Sequence, residues 1–232
     1  MFRRGTIMAW EIGLTEAQKS AASHYGSSAR ILAGPGTGKT RTLTNHVAYL
    51  LEERNVPANE IVVLTFTRAA ANELRSRLIE ELGLPESDLP NVRTLHSFAL
   101  RTLLDNASHA GITQPLRVAD DFEEQHVLYL ELNQVLDRSA KEIKDALRAY
   151  EATWNTLNKK DDEWESIEFG QALEEELHSL CEVYNFILRG QLIHKLVEFL
   201  EANPLIVQSL NIGHVLVDEY QDLNLCDQQA IA

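Results

Sequence analysis

The sequence predicts an α/β fold: a parallel sheet covered by helices and interrupted by a mostly helical segment. Three observations carry this. Residues 29–104 alternate short apolar runs with helical periodicity, the grammar of a parallel sheet. Ile61-Val62-Val63-Leu64-Thr65-Phe66 is a continuous, largely β-branched run, as a strand covered on both faces requires. Residues of roughly 105–204 then show helical spacing alone, before a strand pattern returns at His214-Val215-Leu216-Val217-Asp218-Glu219.

Taken in order, Arg30-Ile31-Leu32-Ala33 is expected to be a short buried strand. Residues 40–53 are predicted helical, with Leu43, Val47, Leu50 and Leu51 on one side. The second strand is 61–66. A helix over 69–82 follows, with Leu74, Leu78 and Leu82 spaced by four, and Gly83 and Pro85 end it. Val92-Arg93-Thr94-Leu95 is the third strand. In the middle, Ile143, Leu147, Tyr150, Trp154 and Leu157 follow a 4-3-4-3 spacing, and Leu173, Leu177, Leu180, Tyr184 and Ile187 repeat it. Leu192, Leu196 and Phe199 continue the theme, so these are read as amphipathic helices packing on one another. Trp154 and Trp164 are expected in or against that core. Asn158-Lys159-Lys160-Asp161-Asp162-Glu163 reads as a surface loop, and Asn203-Pro204 ends the helical pattern. The organisation expected is a sheet domain at 1–104, a helical insertion at 105–204, and a return to the sheet domain at 205–232.

Composition narrows the functional classes. The chain has 232 residues, 44% hydrophobic and 24% charged, as a soluble globular protein does. No apolar run approaches the roughly 20 residues that span a bilayer, and the two arginines near the start precede no long apolar core, so neither membrane span nor signal peptide is expected. Cys181 and Cys226 fit no metal spacing, and the eight histidines form no HxxxH or Cys/His cluster; a reduced cytoplasmic protein without structural zinc is expected. The net charge of −14 is unevenly placed. Residues 1–104 carry 12 Lys and Arg against 10 Asp and Glu, whereas 105–204 carry 9 against 21. The acidity therefore belongs to the helical segment, where it reads as a solvated surface or a surface for protein partners, and the flank remains able to meet phosphates.

The most specific local pattern is Ala33-Gly34-Pro35-Gly36-Thr37-Gly38-Lys39-Thr40. A short apolar run enters a glycine-rich loop that opens a helix, the phosphate-binding loop of a nucleotide triphosphatase, with Ala33 where a first glycine is usual. Small residues free backbone N–H groups to face phosphates, Lys39 adds a point charge, Thr40 offers a hydroxyl to Mg²⁺, and the helix adds its positive end. Gly34, Pro35, Gly36, Thr37, Gly38, Lys39, Thr40 and the adjoining Arg41 are the nucleotide-binding candidates. Val215-Leu216-Val217-Asp218-Glu219 supplies the complementary half. Ligands sit at the carboxyl ends of parallel strands, so Asp218 is expected to hold Mg²⁺ and Glu219 to orient and deprotonate water. ATP and Mg²⁺ are the cofactors this pair implies.

With these motifs in view, the chain resembles the superfamily 1 helicases of the UvrD, Rep and PcrA type. Leu14-Thr15-Glu16-Ala17-Gln18-Lys19-Ser20-Ala21-Ala22 is similar to the Q motif, which implies that Gln18 reads adenine. Residues 33–40 are similar to the family's phosphate loop. Thr65-Phe66-Thr67-Arg68-Ala69-Ala70-Ala71-Asn72-Glu73-Leu74 resembles motif Ia, with Arg68-Ala69 where Asn-Lys is frequent. Thr94-Leu95-His96-Ser97-Phe98 resembles motif Ib, with Leu95 where Phe is more usual. Val217-Asp218-Glu219-Tyr220-Gln221-Asp222 matches motif II. Five motifs in order are far more specific than any one. The resemblance implies a RecA-like P-loop domain carrying a helical subdomain between motifs Ib and II, and ATP-driven movement on single-stranded DNA, usually 3′ to 5′. Single-stranded DNA or a single/double-strand junction is the implied partner. Phe66 is expected to stack on a base, and Thr67, Arg68, Thr94, His96 and Ser97 to meet backbone phosphates. Gln221 is expected to relay nucleotide state to the DNA. Arg75, Arg77 and Arg101 read as solvated helix charges.

In the family, motif III and a second RecA-like domain follow motif II, so the chain is expected to be an N-terminal portion. Such a portion is expected to turn over ATP poorly, since loss of an arginine finger costs roughly 10³–10⁵ in rate. Two other functions share these motifs: a helicase–nuclease with its nuclease elsewhere in the protein, and an ATP switch that never moves on DNA.

Overall fold

The computed structural model describes residues 10–112, 114–158 and 160–232. Residues 1–9, with the two early arginines, Thr113 and Lys159 lie outside the described residues, as do the side chains of Glu81 and Leu82. Along the chain run α1 (Glu16–Ala22), α2 (Lys39–Glu52), β1 (Ile61–Thr65), α3 (Arg68–Leu82), β2 (Asn91–Thr94) and α4 (Leu95–Asp105). Then come β3 (Arg117–Val118), α5 (Asp121–Glu123), a π-helical stretch (Glu124–Leu128), α6 (Tyr129–Leu136), α7 (Ala140–Thr156), α8 (Asp162–Glu165) and α9 (Gly170–Tyr184). The rest is β4 (Phe186–Ile187), α10 (Arg189–Ala202), α11 (Pro204–Ser209), β5 (His214–Val217) and α12 (Leu225–Ile231). Two compact units result, one from residues 1–94 and 208–220, the other from 95–207 and 221–232.

The first unit is built on a parallel sheet of order β2-β1-β5, with Thr65 beside Thr94 and Leu64 beside Val217. All five residues of β1 are buried, which is why that run carries no polar alternation. Its Ile61 and Val63 join Val47 and Leu50 of α2, Leu74 and Leu78 of α3, and Leu216 in one core. Local chemistry sets the helix ends. Thr67 Oγ1 accepts the Ala70 N–H at 3.1 Å, and Gly83 closes α3 with φ 61°, a left-handed conformation that costs glycine nothing.

Residues 30–33 differ from expectation: they form no ladder among the described residues, and Ile31 and Leu32 are 49% and 84% exposed. Length alone does not exclude a strand, since β2 and β5 also have four residues; those two pair with β1, whereas 30–33 gain no such ladder among the described residues. Arg30 instead lays its guanidinium over the Tyr220 ring at 5.4 Å.

The second unit is helical. Its core joins Leu128 and Leu132, Ile143, Leu147 and Trp154 of α7, and Leu173, Leu177 and Leu180 of α9. α10 packs against α4, α7 and α12. Tyr150 lies between Trp154 and Trp164, with ring centroids at 4.7 and 4.5 Å. Two residues leave the expected helical stripes. Leu157 is the left-handed end of α7 and is 38% exposed. Ile187 lies in β4 beside Val118, because Asn185 turns left-handed and ends α9 first. Burial pushes the Cys181 thiol up to about 11 and that of Cys226 up to about 12, so neither is a thiolate near neutral pH.

Leu173→Ala empties a fully buried position beside Trp154. It is expected to destabilise the second unit by about 2–5 kcal/mol. The check is a lower urea midpoint of the tryptophan-fluorescence transition, with Trp154 and Trp164 as reporters.

Candidate nucleotide-binding site

The loop before α2 is shaped by two left-handed glycines, Gly36 at φ 72° and Gly38 at φ 83°. Gly38 is the residue from which α2 starts; its φ disfavours a side chain, and a Cβ there would lie 2.8 Å from Gln18 Nε2 and displace that amide. The Thr37 hydroxyl donates to the Gly34 carbonyl at 2.7 Å and closes the turn. Lys39 and Thr40 are thereby the first residues of a 14-residue helix, whose free N–H groups and dipole favour an anion.

β5 brings the second half. The Asp218 N–H donates to the Leu64 carbonyl at 2.9 Å, extending the ladder by one residue past Val217. Glu219 then turns left-handed at φ 52°, a conformation that strains a residue with a side chain, and its N–H donates to Asp218 Oδ1 at 3.1 Å. This turn aims Glu219 at the loop, where Lys39 Nζ donates to Glu219 Oε2 at 2.9 Å across 180 residues of chain. An ammonium has three donors, so one bond to Glu219 leaves two for phosphate oxygens.

A cavity of about 710 Å³ opens here, lined by Pro35, Gly36, Gly38, Lys39, Thr40 and Glu219. Arg41 and Arg77 complete its wall. Burial first, and then the Glu219 charge, push the Asp218 carboxyl above its usual range, while Lys39 opposes them. The Thr40 hydroxyl and the Asp218 and Glu219 carboxylates are hard-oxygen donors of the kind Mg²⁺ takes, and of these Thr40 and Glu219 line the cavity.

Gln18 lies at the loop, yet both ends of its amide meet protein. Oε1 accepts the Thr15 N–H at 2.8 Å in a capping box, and Nε2 donates to the Thr37 carbonyl at 2.9 Å. It thus braces the phosphate loop from α1. Arg41 donates to the Gly13 carbonyl at 3.5 Å while facing the cavity.

The DNA candidates fall in two groups. Phe66, Thr67 and Arg68 follow the paired end of β1 and Thr94 is the last paired residue of β2, on the same edge of the sheet as Asp218. Phe66 is 52% exposed rather than buried, Arg68 is exposed, and Thr67 is engaged as the cap of α3. His96 and Ser97 lie in the first turn of α4, in the second unit. Burial lowers the His96 imidazole below its usual value, partly countered by Asp227. Gln221 also belongs to the second unit, in a short 3₁₀ turn after Tyr220.

Sequence reasoning missed Arg77. Its i,i+4 pairing with Glu73, at 2.7 Å, reads as an ordinary solvated helix pair, yet the side chain faces the cavity. Only the packing of α3 against the sheet reveals this. Arg75 likewise is no solvated charge: its guanidinium donates to the Val92 carbonyl and ties α3 to β2.

A family model for the UvrD/REP helicase N-terminal domain matches residues 14–232. The chain is similar to the ATP-dependent DNA helicase srs2 of Schizosaccharomyces pombe, 30% identical over 235 residues, covering 90% of this chain and 26% of that protein. It is similar to the ATP-dependent DNA helicase UvrD1 of Mycobacterium tuberculosis, 32% identical over 226 residues, covering 91% and 29%. DNA helicase II of Haemophilus influenzae is 30% identical over 227 residues, covering 91% and 30%. The chain therefore spans 26–30% of the length of these relatives.

The raised Asp218 carboxyl has a consequence for stability. Its protonated form is favoured in the fold, so its charge destabilises the chain at neutral pH, and that penalty fades as pH falls through the folded value. Asp218→Asn keeps an Oδ1 to accept the Glu219 N–H and removes the charge. The melting temperature at pH 7 is expected to rise by roughly 1–3 °C. The gain is expected to shrink in melts run toward acid pH.

Proposed function

The chain belongs to the UvrD/REP helicase N-terminal domain family, and from that premise we propose that it is the ATP-binding part of an ATP-dependent DNA helicase. The observation that carries this reading is the bond between Lys39 and Glu219, which joins a phosphate loop to a strand-end carboxylate. We assign residues 1–104 and 205–232 to a RecA-like domain and residues 105–204 to a helical insertion, acting in the cytoplasm.

In this reading Lys39 donates to the β- and γ-phosphates, with backbone N–H groups of residues 36–40 beneath them. Arg41 and Arg77 add positive charge at the wall of the cavity. Thr40 and Asp218 hold Mg²⁺, and Glu219 orients the attacking water and takes its proton. When bound, the metal neutralises charge that develops on the phosphates. Gln18 reads adenine by exchanging its bonds to Thr15 and Thr37, so that base recognition and loop posture are coupled.

Phe66 offers an exposed ring for stacking on an unpaired base, worth about 1–3 kcal/mol. Arg68, Thr67, Thr94, His96 and Ser97 bind the phosphate backbone of single-stranded DNA or of a single/double-strand junction, without reading sequence. Gln221, three residues after Asp218, relays the nucleotide state toward that track, and movement runs 3′ to 5′. Translocation needs two domains that open and close around ATP. We assign only one to residues 1–232, which on their own bind ATP and do not unwind DNA.

The test is phosphate release from ATP by the gene product that carries this chain, with and without a single-stranded oligonucleotide. Stimulation by DNA, abolished in Lys39→Ala, is expected. Turnover indifferent to DNA would replace the helicase by a nucleotide switch, and normal turnover in Lys39→Ala would remove the loop from the mechanism. Phe66→Ala is expected to weaken oligonucleotide binding about 5- to 100-fold while leaving ATP binding intact, as read by fluorescence anisotropy.

A further inference from the structure

The continuous helical run formed by α5, the π-helical stretch and α6 has two unlike faces. Leu128 and Leu132 are fully buried, and Tyr129 and Leu136 pack on the same core, so the inward face is satisfied. Phe122, His126 and Leu130, spaced by four, point outward. Phe122 is 65% and Leu130 54% exposed, and His126 is exposed between them. This row is ordered. The Phe122 and His126 rings stack at 4.4 Å with 18° between their planes, and His126 Nδ1 donates to the Phe122 carbonyl at 3.2 Å.

The charge around the row has one sign. Residues 118–137 contain six carboxylates and no lysine or arginine. Arg189 approaches Asp121 at 3.8 Å and Arg117 pairs with Glu123, which leaves a net negative rim. A π-helical stretch inside a helix shifts the register of the residues after it, and such stretches concentrate at functional positions.

We propose that the Phe122–His126–Leu130 row is a docking site for a basic amphipathic segment of a partner protein. The apolar row accepts that segment's apolar side chains at helical spacing. Asp120, Asp121 and Glu124 meet its lysines or arginines, and the Phe122 ring offers a face to a cation. Charge complementarity selects this occupant over the others. Nucleic acid and anionic lipid carry the sign of the rim, and a second copy of this chain carries the same −14. The inference does not depend on the ATPase reading, because every residue it uses lies in the second unit.

The test uses a fluorescent synthetic helix of leucines and lysines as probe. Its controls are a peptide with glutamates in place of the lysines and one with serines in place of the leucines. Phe122→Ser with Leu130→Ser removes the row, and Asp121→Lys with Glu124→Lys reverses the rim. These positions are exposed or half-buried, and circular dichroism checks the fold of each variant. The leucine–lysine peptide is expected to bind the natural chain, with both control peptides failing and each double variant weakening binding at least about tenfold. Binding that is equal in the Phe122→Ser, Leu130→Ser variant, or the same for the serine peptide, would overturn the proposal by showing general acidity at work. Concentration-dependent dimerisation lost in that variant would overturn it in favour of a second copy.

Discussion

The contact between Lys39 and Glu219 is the joint on which the site depends. It binds the first residue of α2 to the second residue past β5, 180 positions away in the chain. The pair itself is partly exposed, with side-chain accessibilities of 30% and 41%, so it contributes at most about 1 kcal/mol. Glu219 meanwhile sits in a left-handed conformation costing about 1–3 kcal/mol. The bond does not offset that cost by itself. The ladder does: Asp218 is held by the Leu64 carbonyl, and β5 is in register with the fully buried β1. Stability in the sheet thus supports strain at its end, as expected where geometry serves chemistry.

Everything near the joint follows from small side chains and fixed backbone. Gly38 lets α1 approach so closely that Gln18 bonds to the Thr37 carbonyl. Loop posture is therefore tied to a residue outside the loop. Burial first, and then the Glu219 charge beside it, lift the Asp218 carboxyl. The acid-rich residues 105–204 fall wholly within the second unit.

Sequence was most legible where the signal is local. The loop is a contiguous pattern. β1 is a run of five residues that all turn out buried, and α3 announces both ends through Thr67 and Gly83. The helices of the second unit show in their apolar spacing until a left-handed residue intervenes, as at Leu157 and Asn185. Long-range placement was not legible. The run at 30–33 has strand composition, but composition does not reveal whether a ladder partner is within reach. Arg77 and Arg75 look alike on α3, yet one lines the cavity and the other grips a β2 carbonyl. The amide of Gln18 carries no sign in sequence of the two protein bonds that engage it.

The proposed function divides labour across the joint: Lys39 would hold phosphate, whereas Glu219 would act on water and steady the lysine. Calorimetric titration of Mg-ATP into the natural chain, Lys39→Ala and Glu219→Gln tests that division most directly. The account predicts binding weakened at least about tenfold in Lys39→Ala and unchanged within a fewfold in Glu219→Gln, which keeps an oxygen to accept from the ammonium. Equal loss in both variants would contradict it, since Glu219 would then be part of the phosphate grip. Undiminished binding in Lys39→Ala would contradict it more simply, by removing the lysine from the site.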